Sequence, residues 1–180
     1  ELVASLLSGA ELVAVDDQMW ASRVFALQDA LPSAEFVLGG FITSELRAVK
    51  DQAAVDALRD AGAAIDRVHS RMGEWLRPGR TEREVGADIA RAIVEEGHER
   101  VDFVIVASGP NGASPHHEVS DRVIGAGDPV VVDIGGTTPA GYCSDSTRNY
   151  VAGADPAPQY VELMGVLHRA QVAQRAHAGP

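Results

Sequence analysis

The chain has 180 residues, of which 46% are hydrophobic and 23% charged, a composition ordinary for a soluble globular protein with one sizeable core. The 15 Lys and Arg residues against 26 Asp and Glu residues give a formal net charge of −11, which argues against a nucleic-acid or anionic-membrane partner. The single cysteine, Cys143, excludes an internal disulfide, and no apolar run reaches the roughly 18 residues of a membrane helix. We therefore expect a cytoplasmic protein.

The first 42 residues predict a small α/β segment. Residues 11–15 form a short apolar run, residues 18–31 have helical spacing, and residues 35–40 predict a second short strand. Such a segment is too small to bury a core by itself. We interpret residues 1–42 as the C-terminal remnant of a larger N-terminal domain, followed by a second domain over residues 43–180.

Two amphipathic helices are predicted next. From residue 43 to residue 76 apolar side chains recur mostly at three- and four-residue steps, and Pro78-Gly79 ends the pattern. Thr81 and Glu84 match a capping box, which predicts the start of a second helix that continues to about residue 96. The side chains of this helix that are predicted to face inward are Val85, Ile89, Ile93 and Val94.

A strand predicted over residues 101–107 leads into a Gly- and Pro-rich loop that carries His116 and His117. Loops at the end of a buried strand often present functional groups, and an imidazole can bind a metal or transfer a proton. These two histidines are therefore candidate site residues. The remaining histidines lie in helical contexts and are predicted to be surface residues: His69, His98, His168 and His177.

The stretch from Val130 to Val151 predicts a β-hairpin with two carboxylates. Folded about Pro139, it places Asp133 directly opposite Asp145, and both side chains project from the same face. Opposed carboxylates repel each other unless a positive charge lies between them, and a divalent cation would supply that charge. The alternative is a different register with two solvated aspartates. Carboxylate ligands favour manganese, cobalt or zinc and argue against a thiolate zinc site.

After the hairpin, a Pro-containing stretch predicts the start of a last helix, from Gln159 to about residue 176, with one apolar side. The sequence contains no Gly-x-Gly-x-x-Gly, no P-loop lysine and no Gly-x-Ser-x-Gly elbow. Nucleotide binding and serine-hydrolase chemistry are therefore not supported by a motif.

Three motifs in this region resemble the creatinase/aminopeptidase "pita-bread" family, with bacterial Xaa-Pro dipeptidases (prolidases) and aminopeptidases P the most similar members. The motifs are Ser108-Gly109-x-Asn111 with Pro115-His116, then Val132-Asp133-Ile134-Gly135-Gly136, then Gly141-Tyr142-x-x-Asp145-x-Thr147-Arg148. The resemblance covers residues 43–176. It implies an α/β (α+β) protein, the first half of a pita-bread fold with a mixed or antiparallel curved sheet covered by helices, preceded by the N-terminal α/β remnant.

The resemblance also implies roles for individual residues. Asp133 and Asp145 would be the first two metal ligands, the second of them bridging, and His116 the catalytic histidine that contacts substrate and stabilises the tetrahedral intermediate. Four further residues would surround the site, with His117 and Tyr142 in the pocket and Thr147 and Arg148 orienting the second carboxylate. The implied cofactor is a pair of divalent metal ions, manganese in the first place and cobalt or zinc otherwise. Family members add a histidine and two glutamates from later strands, and this chain has no glutamate after Glu162, so we expect it to hold two of the five ligands.

The function implied is that of a metallopeptidase that hydrolyses the Xaa-Pro bond at the N-terminus of dipeptides or short peptides through a metal-activated water. Its partner is then a peptide with proline at the second position, its expected assembly is a homodimer, and this segment alone is expected to be inactive. The alternatives are a non-catalytic pita-bread module that binds peptides or proteins, a metal-free creatinase-like amidinohydrolase, and a methionine aminopeptidase. Asp133 and Asp145 count against the amidinohydrolase, and the N-terminal remnant counts against the methionine aminopeptidase.

Overall fold

A computed structural model describes residues 2–178 of the protein, and the chain divides into two compact units, residues 1–53 and 54–180. The sequence predicts a boundary earlier, between residues 42 and 43. The division lies later because the helix over Gly40–Ala48 belongs to the first unit. The assignment of the first unit to a larger N-terminal domain stays a prediction.

The first unit contains a two-stranded parallel sheet. Its elements are α1 (Leu2–Leu6), β1 (Leu12–Val15), α2 (Ala21–Ala30), β2 (Glu35–Leu38) and α3 (Gly40–Ala48). The strands pair in parallel from Leu12 opposite Glu35 to Val15 opposite Leu38, so α2 makes the crossover. Val13, Val15 and Leu31 form a small core. The predicted order of strand, helix and strand is confirmed.

The single helix predicted over residues 43–76 is wrong, because the backbone leaves the helix twice. Helix α3 ends at Ala48, where Val49 adopts an extended conformation with φ −95° and ψ 108°. Helix α4 then spans Gln52–Ser70, and a short α5 covers Met72–Trp75. The apolar periodicity runs across both breaks because it reflects which side chains are buried and contains no information about backbone continuity.

Helix α6 (Glu82–Glu95) begins with the predicted capping box. The Thr81 hydroxyl accepts a hydrogen bond from the Glu84 backbone N–H at 3.2 Å, and the Thr81 N–H donates to the Glu84 carboxylate at 2.9 Å. Val85, Ile89 and Ile93 are fully buried as predicted, whereas Val94 is 49% exposed. The expectation for Val94 is wrong because, next to Ile93 and about 100° around the helix axis from it, this residue leaves the buried stripe.

The second unit contains an antiparallel sheet in the order β3, β4, β5, formed by Arg100–Ser108, Pro129–Thr137 and Cys143–Val151. A 3-10 turn, Gly109–Ala113, follows β3. One face of the sheet packs against the helices, in a core that includes Ile65, Val68, Met72, Ile89, Ile93, Val106, Val132 and Ile134. The opposite face is partly exposed and is called the open face below.

Helix α7 (Pro158–His177) closes the described chain. Its predicted extent is confirmed within two residues at each end, but none of its described side chains is buried, and Leu163 and Leu167 on its apolar side are exposed. No helix within residues 2–178 is both long enough and apolar enough to span a membrane.

Candidate metal centre and active site

Asp133 and Asp145 project from the open face of the sheet, as the hairpin pattern predicts. Asp133 lies on β4 and is half-buried, and Asp145 lies on β5 and is exposed. The predicted register is wrong, however, since Asp133 pairs with Thr147 and Asp145 pairs with Gly135. A register shift of two residues keeps every side chain on its predicted face. The carboxylates are therefore diagonal neighbours on one surface.

The hairpin turn explains this register. The Thr138 N–H donates to the Tyr142 carbonyl, and the Gly141 N–H donates to the Thr138 carbonyl, both at 2.8 Å. The loop is therefore the three residues 139–141, centred on residue 140, and Gly141 takes the left-handed conformation with φ 80°. The sequence signal was Gly141, because three-residue hairpin loops commonly place glycine at this position.

Thr147 fixes the carboxylate of Asp133 by a hydrogen bond. Its hydroxyl donates a 2.7 Å hydrogen bond to Oδ1 of Asp133, directly across the strand pair. The role that the family resemblance implies for Thr147 and Arg148, orienting Asp145, stays a prediction; the hydrogen bond observed here joins Thr147 to Asp133. Arg148 lies on the helix-facing side of β5, where its guanidinium donates to the Ser146 hydroxyl and to Asp66. Residues 147 and 148 point to opposite faces because side chains alternate along a strand.

Two buried histidines fix the residues on either side of Asp145 from the helix-facing side. Nε2 of His69 donates to the Ser146 carbonyl at 3.1 Å, and Nε2 of His98 lies 2.8 Å from the Ser144 hydroxyl. The prediction that these histidines are surface residues is wrong, since His69 is 8% exposed and His98 is 3% exposed. Their contacts reach across 77 and 46 residues of sequence, and local helical context gives no sign of such partners.

The contacts of these two histidines indicate which ring nitrogen carries the proton. Because Nε2 of His69 donates to a carbonyl, its Nδ1 in the neutral ring accepts from the Tyr150 hydroxyl at 2.9 Å. Burial lowers the pKa of His69 below 6.5 and outweighs the hydrogen bond to Ser146, which acts in the opposite direction. His98 Nδ1 donates to the Ile93 carbonyl, so its Nε2 accepts from Ser144.

His116 reaches the same open face from the loop after β3. A cavity of about 170 Å³ is lined by Ile105, Ala107, Gly112, Ala113, Ser114, Pro115, His116, Val131, Asp133 and Thr147. His116 has φ 57°, which makes it the one non-glycine residue of the described chain in the left-handed region. An L-residue in this conformation is held there by its surroundings, and such residues cluster at functional sites.

Of the predicted pocket residues, neither His117 nor Tyr142 is placed at this cavity. His117 turns away, and its Nε2 donates to the Glu82 carboxylate at 2.9 Å. Tyr142 belongs to the hairpin turn, where its carbonyl accepts hydrogen bonds from the Thr138 N–H and hydroxyl. The structure therefore brings together Asp133, Thr147 and His116, with Asp145 adjacent on β5.

Glu82 is a residue that the sequence analysis missed. Its side chain is fully buried at the first position of α6, and its carboxylate accepts hydrogen bonds from Ser108, Asn111, His117 and Ser120. Burial raises the pKa of Glu82, but the hydrogen bonds from Ser120, Ser108 and His117 outweigh burial and lower it to about 2. The four partners lie 26 to 38 residues away along the chain, so no local pattern identifies the cluster.

Asp133 and Asp145 fit as ligands of a hard or borderline divalent metal ion. They offer carboxylate oxygens from one surface, and Thr147 holds one of the carboxylates in place. Within residues 2–178, no group of three or more His, Cys, Asp or Glu side chains is arranged to hold a metal ion. Two carboxylates alone do not complete a coordination sphere, so a metal ion bound here would need further ligands.

The chain is similar to proteins of a known family. The model of one protein family, described as "Metallopeptidase family M24", matches residues 56–180. The probable dipeptidase PepE of Mycobacterium tuberculosis is 54% identical over 171 residues, which cover 94% of this chain and 45% of that protein.

Solved structures agree with this match. The dipeptidase PepE structure from Mycobacterium ulcerans is 55% identical, with a TM-score of 0.85 over 96% of this chain and 46% of that chain. The Xaa-Pro dipeptidase structure from Bacillus anthracis is 30% identical, with a TM-score of 0.86 over 95% of this chain and 48% of that chain. The chain therefore spans about half the length of the relatives it matches.

Proposed function

Because the chain belongs to metallopeptidase family M24, we propose that the protein hydrolyses the Xaa-Pro bond at the N-terminus of dipeptides or short peptides. The predicted fold class is confirmed. The sheet and its covering helices match about half of each of the solved pita-bread relatives. The names of the relatives, a dipeptidase and an Xaa-Pro dipeptidase, support a peptide substrate with proline at its second position.

One observation carries the proposal: Asp133, Thr147 and His116 line a single cavity on the open face. Asp145 lies beside them on β5, across from Gly135. A carboxylate and a loop histidine at one cavity, with a second carboxylate on the neighbouring strand, suit hydrolysis of a peptide bond, which needs a place for an activated water and a hydrogen-bond donor for the carbonyl.

Each of these site residues then has a chemical role. Asp133 and Asp145 would hold two divalent metal ions, which would supply Lewis-acid activation of water near neutral pH. Thr147 keeps the Asp133 carboxylate oriented. His116 donates a hydrogen bond to the substrate carbonyl oxygen as negative charge develops on it. Ile105 and Val131 contribute apolar walls that exclude bulk water from the cavity.

The identity of the metal and the assembly form part of this proposal. Manganese suits carboxylate ligands, as do cobalt and zinc to a lesser extent. A homodimer and a cytoplasmic location stay predictions from the sequence.

The test is the release of proline from an Xaa-Pro dipeptide such as Ala-Pro by the full-length protein, with and without added manganese. We expect metal-dependent release, and we expect Asp145→Asn to abolish both release and manganese binding because the amide cannot replace a negatively charged ligand. Asp155→Asn, an exposed aspartate beyond β5, is the matched control and should behave like wild type.

Each alternative function predicts another result. Full turnover by Asp145→Asn would exclude Asp145 as an essential ligand. Amidinohydrolase activity without bound metal would favour a creatinase-like enzyme. Peptide binding without hydrolysis would favour a non-catalytic binding module.

A further inference from the structure

The loop that carries His116 is fastened to one buried carboxylate. Oε1 of Glu82 accepts from the Ser108 N–H and the Ser108 hydroxyl, both at 2.7 Å, and from the Asn111 amide at 3.0 Å. Ser108 ends β3 and Asn111 lies in the 3-10 turn. Glu82 therefore fixes the first part of the loop at the point where it leaves the sheet.

The other carboxylate oxygen fixes the end of the same loop. Oε2 of Glu82 accepts from His117 Nε2 at 2.9 Å, from the Ser120 hydroxyl at 2.6 Å and from the Ser120 N–H at 3.2 Å. The backbone reinforces this attachment, since the Arg83 N–H donates to the Ser120 carbonyl at 3.0 Å. His117 is the residue that directly follows His116, so its hydrogen bond acts on the peptide unit between them.

His116 needs this support because its backbone is in a conformation that L-residues avoid. With φ 57°, it occupies the left-handed region, which is unfavourable for a non-glycine residue. The adjacent hydrogen bond between His117 and Glu82 holds the chain in this conformation and directs residue 116 towards the cavity with Asp133. In a loop without this constraint, His116 would relax towards ordinary backbone angles and leave the cavity.

We propose that Glu82 is a positioning residue of the active site, which holds the His116 loop so that the imidazole reaches the substrate carbonyl. This inference rests on the proposed function for the role of His116 in catalysis, and on the geometry alone for the attachment of the loop. Glu82 itself is fully buried and does not line the cavity, so it acts through the loop. Its ionised state at neutral pH suits this role, because a carboxylate accepts every hydrogen bond offered to it.

The first test measures the loop directly, by hydrogen–deuterium exchange of the full-length protein. Glu82→Gln keeps the size of the side chain but places an NH₂ group opposite several hydrogen-bond donors. We expect amides of residues 109–120 to exchange at least about tenfold faster in this variant, with β4 and β5 unchanged. Glu84→Gln is the control, because it alters the same helix start without contact to the loop. Equal exchange in wild type and Glu82→Gln would overturn the inference.

The second test separates positioning from folding by a double-mutant cycle with His116→Ala. We expect Glu82→Gln to lower kcat about tenfold to a hundredfold in the wild-type background, with little change in KM or metal content. In the His116→Ala background it should lower kcat less than about twofold, because the residue that it positions is gone. An equal loss of kcat in both backgrounds would reduce Glu82 to a structural role.

Two further outcomes keep the tests distinct. If Glu82→Gln does not fold, Ser120→Ala removes the 2.6 Å hydroxyl contact to Glu82, together with the contacts that the same oxygen accepts from the Arg122 N–H and the Asn111 amide. This variant should show the same pattern at smaller amplitude, and no change in its loop exchange would overturn the inference. If wild-type protein does not hydrolyse Xaa-Pro peptides, the proposed function fails, while the exchange experiment still decides whether Glu82 holds the loop.

Discussion

The Thr147 hydroxyl donates a 2.7 Å hydrogen bond to Oδ1 of Asp133, its direct cross-strand partner on the open face of the sheet. Residues that hydrogen-bond a ligand carboxylate fix its orientation, and their loss commonly costs 10- to 100-fold in metal affinity. The pairing would therefore make Thr147 the supporting residue of Asp133 in the proposed metal site.

Replacement of Thr147 by valine removes this hydrogen bond and keeps the branched shape of the side chain. We expect the affinity of the full-length protein for manganese to fall about tenfold or more, as measured by isothermal titration calorimetry. Thr147→Ser keeps the hydroxyl and should bind manganese almost as wild type does. Unchanged affinity in the valine variant would show that Asp133 does not depend on this contact.

The lowered pKa of Glu82 predicts that the folded protein loses stability in acid. Its pKa is about 2 in the folded protein against 4.5 for the free group, so the stabilisation is complete above about pH 4.5 and is lost as the pH falls towards 2. The shift corresponds to a contribution on the order of 3 kcal/mol to the free energy of unfolding.

Urea unfolding of the full-length protein between about pH 7 and about pH 3 measures this contribution. Glu82→Gln should be less stable at neutral pH and should lose less stability on acidification. Glu118→Gln, an exposed carboxylate of the same loop, is the control. The same acid dependence in Glu82→Gln and wild type would contradict the prediction.

The lowered pKa of His69 predicts a second pH dependence of the free energy of unfolding, nearer neutral pH. Burial lowers the pKa of the folded His69 below 6.5, so the unfolded chain binds a proton more readily and stability is lost as the pH falls below about 6.5. His69→Gln should make the free energy of unfolding less dependent on pH between about 7.5 and about 5. His168→Gln, on exposed α7, should keep the wild-type dependence, and no difference between the two variants would refute the assignment.

Gly135 imposes a steric requirement on the open face of the sheet. A Cβ at this position would lie 2.6 Å from the Phe103 ring and closer still to the Ser144 carbonyl oxygen, so Gly135→Ala forces the sheet to move. We expect a loss of at least about 1–3 kcal/mol in the free energy of unfolding. Gly165→Ala, in α7, is the control and should be neutral or slightly stabilising. Wild-type stability for Gly135→Ala would show that the strands have more room than the structure indicates.

Features that depend on nearby residues could be predicted from the sequence. The capping box of Thr81 and Glu84 spans three residues, and the shared face of Asp133 and Asp145 follows from strand alternation whichever of two even registers is adopted. The diagonal arrangement of the aspartates was not predicted, because the register depends on the three-residue loop in which Gly141 takes the left-handed conformation.

Features that depend on distant residues could not be predicted. The carboxylate of Glu82 gathers partners up to 38 residues away, and a glutamate in the first turn of a helix is ordinarily explained by the helix dipole alone. The burial of His69 and His98 has the same origin, because their partners Ser146 and Ser144 lie on a strand whose position only the folded sheet defines.

The anchoring of Ser144 and Ser146 by buried histidines has a consequence for protein engineering. Along β5, Ser144 and Ser146 are buried and held from the interior, while Cys143, Asp145 and Thr147 face outward and are exposed. The outward side chains can therefore be exchanged for other ligand types, such as histidine or glutamate at position 145, without rebuilding the scaffold beneath them. Strand β5 thus offers a frame on which the ligands of the proposed metal site could be varied.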